Sequence, residues 1–84
     1  MQNEQTLSEV IGIIGKYAER REAIAGADAS TRISELGVSS LNFVEIVVKI
    51  EETFNVSISD EEFQRIATIG DAVNVIATAK AVAV

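Results

Sequence analysis

Apolar residues recur at helical spacing in four segments of the chain. The first pattern predicts a helix over residues 7–21, formed by Leu7, Val10, Ile11, Ile14, Tyr17 and Ala18. The most apolar stretch predicts a second helix over 40–54, beginning at Ser39 or Ser40 and ending near Phe54. Two weaker patterns predict a short third helix over 60–67 and a last helix over 70–80. The chain is therefore expected to be helical throughout.

Polar residues mark the expected beginnings of three helices. Residues 6–9, 59–62 and 68–71 each place a hydroxyl side chain three residues before an acid, which is the spacing of a capping box. Between the first two helices, residues 23–36 show no sustained period and predict a long loop held by Ile33 and Leu36. Long loops in small domains are usually functional or disordered.

The second predicted helix is apolar over more than one face. Its polar residues form one narrow stripe: Asn42, Glu45, Lys49 and Glu52. Glu45 precedes Lys49 by four residues, the order that favours an ion pair. Val44 and Val48 flank the stripe on the side of Leu41. Either these side chains are buried in the core, or they are an apolar surplus exposed for a partner.

These patterns predict an all-α four-helix bundle with three longer helices, one short third helix and a long loop between helices one and two. Eighty-four residues are expected to form one domain. No apolar run approaches the roughly 20 residues of a membrane span. The polar amino terminus lacks the basic region of a signal peptide, so we expect a cytoplasmic protein. A starting Met favours a stand-alone chain, and a monomer is expected.

Charge and composition exclude several function classes. The chain has 13 acidic and 7 basic side chains and a net charge of −6, which argues against nucleic-acid binding. The acidity either attracts basic protein surfaces or only keeps a small domain soluble. Without Cys and His, neither disulfides nor a metal site are expected. The chain has no histidine to act as a base, and none of its three lysines lies near Ser40 in sequence, so we do not expect an enzyme.

The remaining chemistry belongs to a pair of serines. Ser39 is placed to cap the second helix, which leaves Ser40 at the first helical position with its hydroxyl facing water. The amino terminus of a helix also favours an attached phosphate. Two interpretations stay open at this point: both serines act only as caps, or one of them is a modification site.

The sequence around these serines resembles the acyl carrier protein family. The resemblance begins at Leu36-Gly37-Val38-Ser39-Ser40-Leu41, continues through 44–47, 50–54, 56–62 and 66–73, and covers roughly residues 31–76. It implies a four-helix bundle whose motif serine carries 4′-phosphopantetheine, supplied from coenzyme A by a separate phosphopantetheinyl transferase. The arm ends in a thiol that holds acyl groups as thioesters. The serine before leucine, Ser40, is the implied attachment site, and no catalytic residue is implied.

The resemblance also implies a docking surface on the second helix. Partner enzymes would include an acyl-loading ligase or transferase and acyl-processing enzymes such as ketosynthases. Their basic surfaces would contact acidic side chains, with apolar contacts beside them. The matching positions are Leu41, Val44, Glu45, Val48, Glu51 and Glu52.

The chain departs from the family pattern at three positions beside the motif. Ser39 stands where an aspartate is usual, Asn42 stands where an acid is usual, and Lys49 adds a positive charge to the docking helix. These departures favour a specialised carrier for a dedicated pathway, such as polyketide, lipid-modification or amino-acid-loading chemistry, over one that serves the usual fatty-acid synthesis enzymes. The resemblance as a whole implies an acyl carrier of a fatty-acid, polyketide or specialised lipid pathway. The alternatives are a stand-alone aminoacyl or peptidyl carrier, and an unmodified helical adaptor in which both serines are caps.

Overall fold

The protein consists of five α-helices and one 3₁₀ turn. The structure is a computed structural model that describes residues 2–82 and the side chains of residues 4–79. The helices are α1 (Gln2–Gly15), α2 (Arg21–Ile24), α3 (Ser40–Phe54), α4 (Asp60–Arg65) and α5 (Ile69–Val82), and the 3₁₀ turn is Ile33–Leu36. Residues 2–82 contain no strand, only an isolated antiparallel bridge between Arg32 and Thr68. The prediction of three long helices and one short one after α3 is confirmed.

The first helix lies earlier in the chain than its apolar pattern predicts. α1 begins at Gln2, so residues 6–9 lie inside the helix and do not cap it. It ends at Gly15, where the amides of Lys16 and Tyr17 bond three residues back in a tight turn. Ala18 is nevertheless buried, because this turn carries the chain back onto the core. The apolar spacing therefore continues beyond Gly15 because Ala18 is buried, although the backbone there is no longer helical.

The predicted loop over 23–36 is partly ordered into short helical turns. α2 forms a single turn across the start of the loop, which raises the number of α-helices from four to five. The 3₁₀ turn lies at the end of the loop. A turn of four residues is too short to show a helical period, which is why the pattern missed it. Ile33 and Leu36 are both buried, so the two predicted anchors of the loop are confirmed.

The core is almost entirely aliphatic. α1 packs against α5 and α3, and the 3₁₀ turn closes one side. The largest fully buried side chains are Val10, Ile14, Leu36, Ile46, Ile50, Ile69 and Ile76. Among the described residues no polar or charged side chain is buried. No helix in the described range is both long and apolar enough to cross a membrane.

Two predicted capping boxes are confirmed. At α4, the amide of Glu62 donates to Ser59 Oγ at 3.2 Å, and the amide of Ser59 donates to Glu62 Oε1 at 3.0 Å. At α5, Thr68 and Asp71 make the same reciprocal pair. α4 ends at Arg65, two residues before its predicted limit, because the backbone becomes extended at Ile66.

Candidate functional site

A glycine-led turn places the serine pair at the start of α3. Gly37 has a left-handed φ of 76°, and a Cβ on it would lie 3.1 Å from the backbone nitrogen of Arg20, so only glycine fits without strain. Ser39 is extended, and its Oγ accepts the amide of Asn42 at 3.1 Å. Capping by Ser39 is therefore confirmed. Ser40 becomes the first residue of the helix.

The segment after α1 braces this motif. The amide of Glu19 donates to the carbonyl of Gly37, and the amide of Arg20 donates to that of Leu36, both at 3.1 Å. The side-chain amide of Asn42 donates to the carbonyl of Tyr17 at 3.4 Å. Asn42 can make this bond as a donor, which the acid usual at its position could not. The motif is thus held from both ends by one short segment.

Ser40 is exposed, and its hydroxyl makes no hydrogen bond with any described residue. It lies on the wall of a cleft of about 290 Å³ that opens between the 3₁₀ turn, the start of α3 and the residues before α5. The cleft is lined by Arg32, Ile33, Ser34, Val38, Ser39, Ser40, Phe43, Ile66 and Ala67. No carboxylate is among these residues, so the cleft is compatible with a phosphate on Ser40.

The apolar side of the cleft is built by contacts between elements. The rings of Phe43 and Phe63 lie 4.9 Å apart at 52°, joining α3 to α4. The amide of Ile33 donates to the carbonyl of Ala67 at 3.0 Å, which fixes the opposite wall. Phosphopantetheine is a chain with a charged phosphate at one end and an amide-containing stem. A cleft whose lining combines serine hydroxyls, one arginine and apolar side chains fits such a group.

Asp71 organises the wall that carries Ala67. Its carboxylate accepts the amides of Ala67 and Thr68, both at 3.0 Å. These bonds favour the charged form and hold the pKa of Asp71 below its ordinary value, against a smaller opposing effect of desolvation. The sequence predicted the cap but not its link to the cleft, because a capping box carries no information about which wall it supports.

The outer face of α3 exposes the apolar surplus that its pattern predicts. Leu41 is 72% exposed, and Val44 and Val48 are each 45% exposed. These three residues are spaced by three and four positions, so they lie side by side on one face. For convenience we call Leu41, Val44 and Val48 the apolar stripe. Their exposure excludes the alternative of plain burial.

The three acids of α3 have different surroundings. Glu51 is half-buried, and its Oε2 accepts the amide of Ile58 at 2.8 Å. Oε1 of Glu52 lies 3.7 Å from Nζ of Lys49, so these two side chains form an ion pair. The four-residue spacing predicts instead a pair between Lys49 and Glu45, and that prediction is wrong. Within the described residues, Glu45 is the exposed acid of α3 that has no polar side-chain partner.

The other residues that line the cleft were not predictable from the sequence. Arg32 and Ser34 belong to the predicted loop, and Ile66 and Ala67 to the end of the predicted third helix. Only the fold brings these four residues to the same cleft as Ser40. No local pattern in the sequence could have indicated this proximity.

Comparison with known proteins agrees with this geometry. The family model described as "Phosphopantetheine attachment site" matches residues 5–76. The chain is 35% identical over 80 residues to an acyl carrier protein of Prochlorococcus marinus, covering 95% of this chain and 99% of that protein. It is 47% identical over 53 residues to an acyl carrier protein of Wolinella succinogenes, covering 63% of this chain and 70% of that one.

A solved structure shares the fold. The solution structure of hexanoyl ACP from the actinorhodin polyketide synthase of Streptomyces coelicolor superimposes with a TM-score of 0.79. It covers 92% of each chain at 23% identity, which supports the helical bundle and nothing finer. Together with the family model over residues 5–76, these matches show that the chain belongs to the acyl carrier protein family, whose members are non-catalytic carriers with a covalently attached 4′-phosphopantetheine.

Proposed function

We propose that this protein carries acyl groups as thioesters on a 4′-phosphopantetheine arm attached to Ser40, and delivers them to enzymes of a fatty-acid, polyketide or specialised lipid pathway. One observation carries the proposal: the hydroxyl of Ser40 is exposed at the start of α3, at the edge of a cleft free of carboxylates. The arm supplies the thiol, which this chain without cysteine does not have.

In the proposed attachment reaction, Ser40 is the nucleophile of a phosphoryl transfer. Its Oγ forms a bond to the phosphorus that carries the pantetheine in coenzyme A, and the bond from that phosphorus to 3′,5′-ADP breaks. The serine proton must pass to a base. No described carboxylate or lysine hydrogen-bonds Ser40, so the base belongs to the phosphopantetheinyl transferase. The chain acts in this step as a substrate.

The neighbours of Ser40 position it for that transfer. The cap by Ser39 fixes where the helix begins, and the positive end of the α3 dipole favours the negative charge that arrives on Ser40. The bonds from Glu19 and Arg20 hold the turn before it. A rigid presentation lowers the entropy cost of docking Ser40 into a partner's active site.

The outer face of α3 is the proposed docking surface. The apolar stripe offers an anchor that starts directly beside Ser40, and Glu45 and Glu52 add negative charge next to it. Partners with a basic rim and an apolar centre complement such a face. Glu51 contributes less to this surface, since its carboxylate is engaged with Ile58.

Intact-mass spectrometry tests the attachment. The protein is incubated with coenzyme A and a transferase of broad specificity, and wild type should gain the mass of one phosphopantetheine. Ser40→Ala should gain none, whereas the matched variant Ser39→Ala loses a cap but should still be modified. An equal gain on Ser40→Ala would exclude Ser40 as the attachment site. An unchanged mass on wild type would count against attachment altogether and favour the unmodified adaptor.

Loading assays test the class of cargo. The modified protein is offered to ligases that activate fatty acids and to ligases that activate amino acids. We expect acyl loading, in line with the acyl carrier proteins that the chain resembles. Loading by amino-acid ligases alone would instead establish an aminoacyl carrier.

A further inference from the structure

Arg32 is held by its backbone between two parts of the fold. The amide of Ile33 donates to the carbonyl of Ala67, and the amide of Ile69 donates to that of Thr31, both at 3.0 Å. These two bonds flank Arg32, which forms the isolated antiparallel bridge with Thr68. The Cα of Arg32 is therefore fixed relative to the cleft, although its side chain is exposed.

Arg32 is also the one cationic residue among those that line the cleft of Ser40. It makes no ion pair or hydrogen bond with a described acidic side chain, although the chain has 13 acids. Its guanidinium is thus not already neutralised by a carboxylate. The cleft combines this charge with the hydroxyl of Ser34 and with the site where a phosphate would be attached.

We infer that Arg32 is a positioning residue that binds the phosphodiester of an arm attached to Ser40. The inference rests on the proposed attachment at Ser40. A phosphodiester keeps one negative charge at neutral pH, and the planar guanidinium presents paired donors that match two phosphate oxygens. Binding of the phosphate by Arg32 keeps the part of the arm next to Ser40 in the cleft and limits how far the rest of the arm moves into solvent.

Because the side chain of Arg32 is exposed, the effect is expected to be modest. Exposed ion pairs change a population by about twofold to fivefold. The arm would then remain free to leave the cleft when a partner enzyme binds. A buried pair would hold the arm too tightly for a group that must move between enzymes.

Phosphorus-31 NMR on the modified protein tests the inference. Wild type, R32Q, R32K and the matched control R21Q are each converted with coenzyme A and a broad transferase, and intact mass verifies one arm per chain. R21Q removes the same charge from α2, outside the cleft. The transverse relaxation of the phosphodiester is then measured at low salt and in 1 M sodium chloride.

We expect faster relaxation, reporting a more ordered phosphate, in wild type and R21Q than in R32Q. The fraction of phosphate bound by residue 32 should fall about twofold to fivefold in R32Q. R32K should lie between wild type and R32Q, because lysine keeps the charge but lacks the paired donors of the guanidinium. The difference should vanish in 1 M salt, where the Debye length is about 3 Å. Equal relaxation of wild type and R32Q at low salt overturns the role of Arg32. A wild type that takes up no arm overturns instead the attachment at Ser40.

Discussion

The main-chain amide of Ile58 donates to Oε2 of Glu51 at 2.8 Å, so an acid of α3 holds the loop that leads to α4. From sequence, Glu51 belongs to the proposed docking surface. Its geometry gives it a structural task as well, and the two tasks are separable by experiment.

Replacement of Glu51 should lower stability, while replacement of Glu45 should not. In Glu51→Ala the half-buried amide of Ile58 loses its charged acceptor, which costs about 1–2 kcal/mol. Glu45 is exposed and without a described partner, so Glu45→Ala should stay within about 0.5 kcal/mol of wild type. Urea unfolding of both variants measures the difference. Equal midpoints would mean that the bond to Ile58 contributes nothing.

The apolar stripe should matter for partners and not for folding. Leu41→Ala removes a side chain that is 72% exposed, so the free energy of unfolding should change by less than about 0.5 kcal/mol. If the transferase buries Leu41, the kcat/KM for modification should fall about fivefold to thirtyfold, equivalent to about 1–2 kcal/mol.

Val47 supplies the contrasting variant on the same helix. It is buried, so Val47→Ala should lower stability by about 1–3 kcal/mol and leave kcat/KM near that of wild type when the protein is folded. A loss of kcat/KM in Val47→Ala equal to that in Leu41→Ala would show that the assay reports folding and not docking.

Asp71 should contribute stability that is lost in acid. Its pKa is lowered in the folded protein by the amides of Ala67 and Thr68, so folding favours the deprotonated form. The stabilisation is present above the ordinary carboxyl pKa and disappears as the pH falls through the lowered value, which places the loss below about pH 4.

Asp71→Asn should therefore be less stable than wild type at pH 7, and its stability should fall less on acidification. Asp60→Asn removes the same charge from the first turn of α4 without breaking a described side-chain hydrogen bond and serves as the control. Unfolding measured from pH 7 down to about pH 3 compares the three proteins. Parallel curves for wild type and Asp71→Asn would contradict the assigned role.

Substitution by alanine should change stability in opposite directions at two helical glycines. A Cβ on Gly12 meets nothing within 4 Å, so Gly12→Ala should stabilise α1 by about 0.5–1 kcal/mol. A Cβ on Gly70 would lie 2.8 Å from the carbonyl oxygen of Ala29, so Gly70→Ala should destabilise by about 1–3 kcal/mol. Thermal unfolding gives both signs, and a stabilised Gly70→Ala would show that this contact relaxes easily.

The long helices and their caps were predictable because each is encoded locally. The run from Leu41 to Phe54 has enough residues to show a helical face, and Ser39, Ser59 and Thr68 all cap as their spacing predicts. The first helix was displaced because the burial of Ala18 extends the apolar spacing past the tight turn after Gly15. Apolar spacing records burial, and it indicates helix only where the backbone stays helical.

The candidate site was predictable at Ser40 and not around it. The motif places Ser40 at a helix start, and the resemblance to the carrier family gives it a role. Arg32 and Ala67 reach the same cleft through the bridge between Arg32 and Thr68, a contact that no local pattern encodes. Lys49 likewise paired with Glu52, since both spacings of three and four bring side chains together on a helix.

α4 is attached to the rest of the fold by fewer buried contacts than the three long helices. It has six residues and none of them is buried. The contacts that hold it include the bond from Ile58 to Glu51 in the preceding loop, the Ser59–Glu62 box and the tilted contact of Phe63 with Phe43. Its amides should exchange with deuterium well before those of α1, α3 and α5. Separation of α4 would remove Phe63 from Phe43, so the cleft beside Ser40 would lose the aromatic contact behind one of its walls.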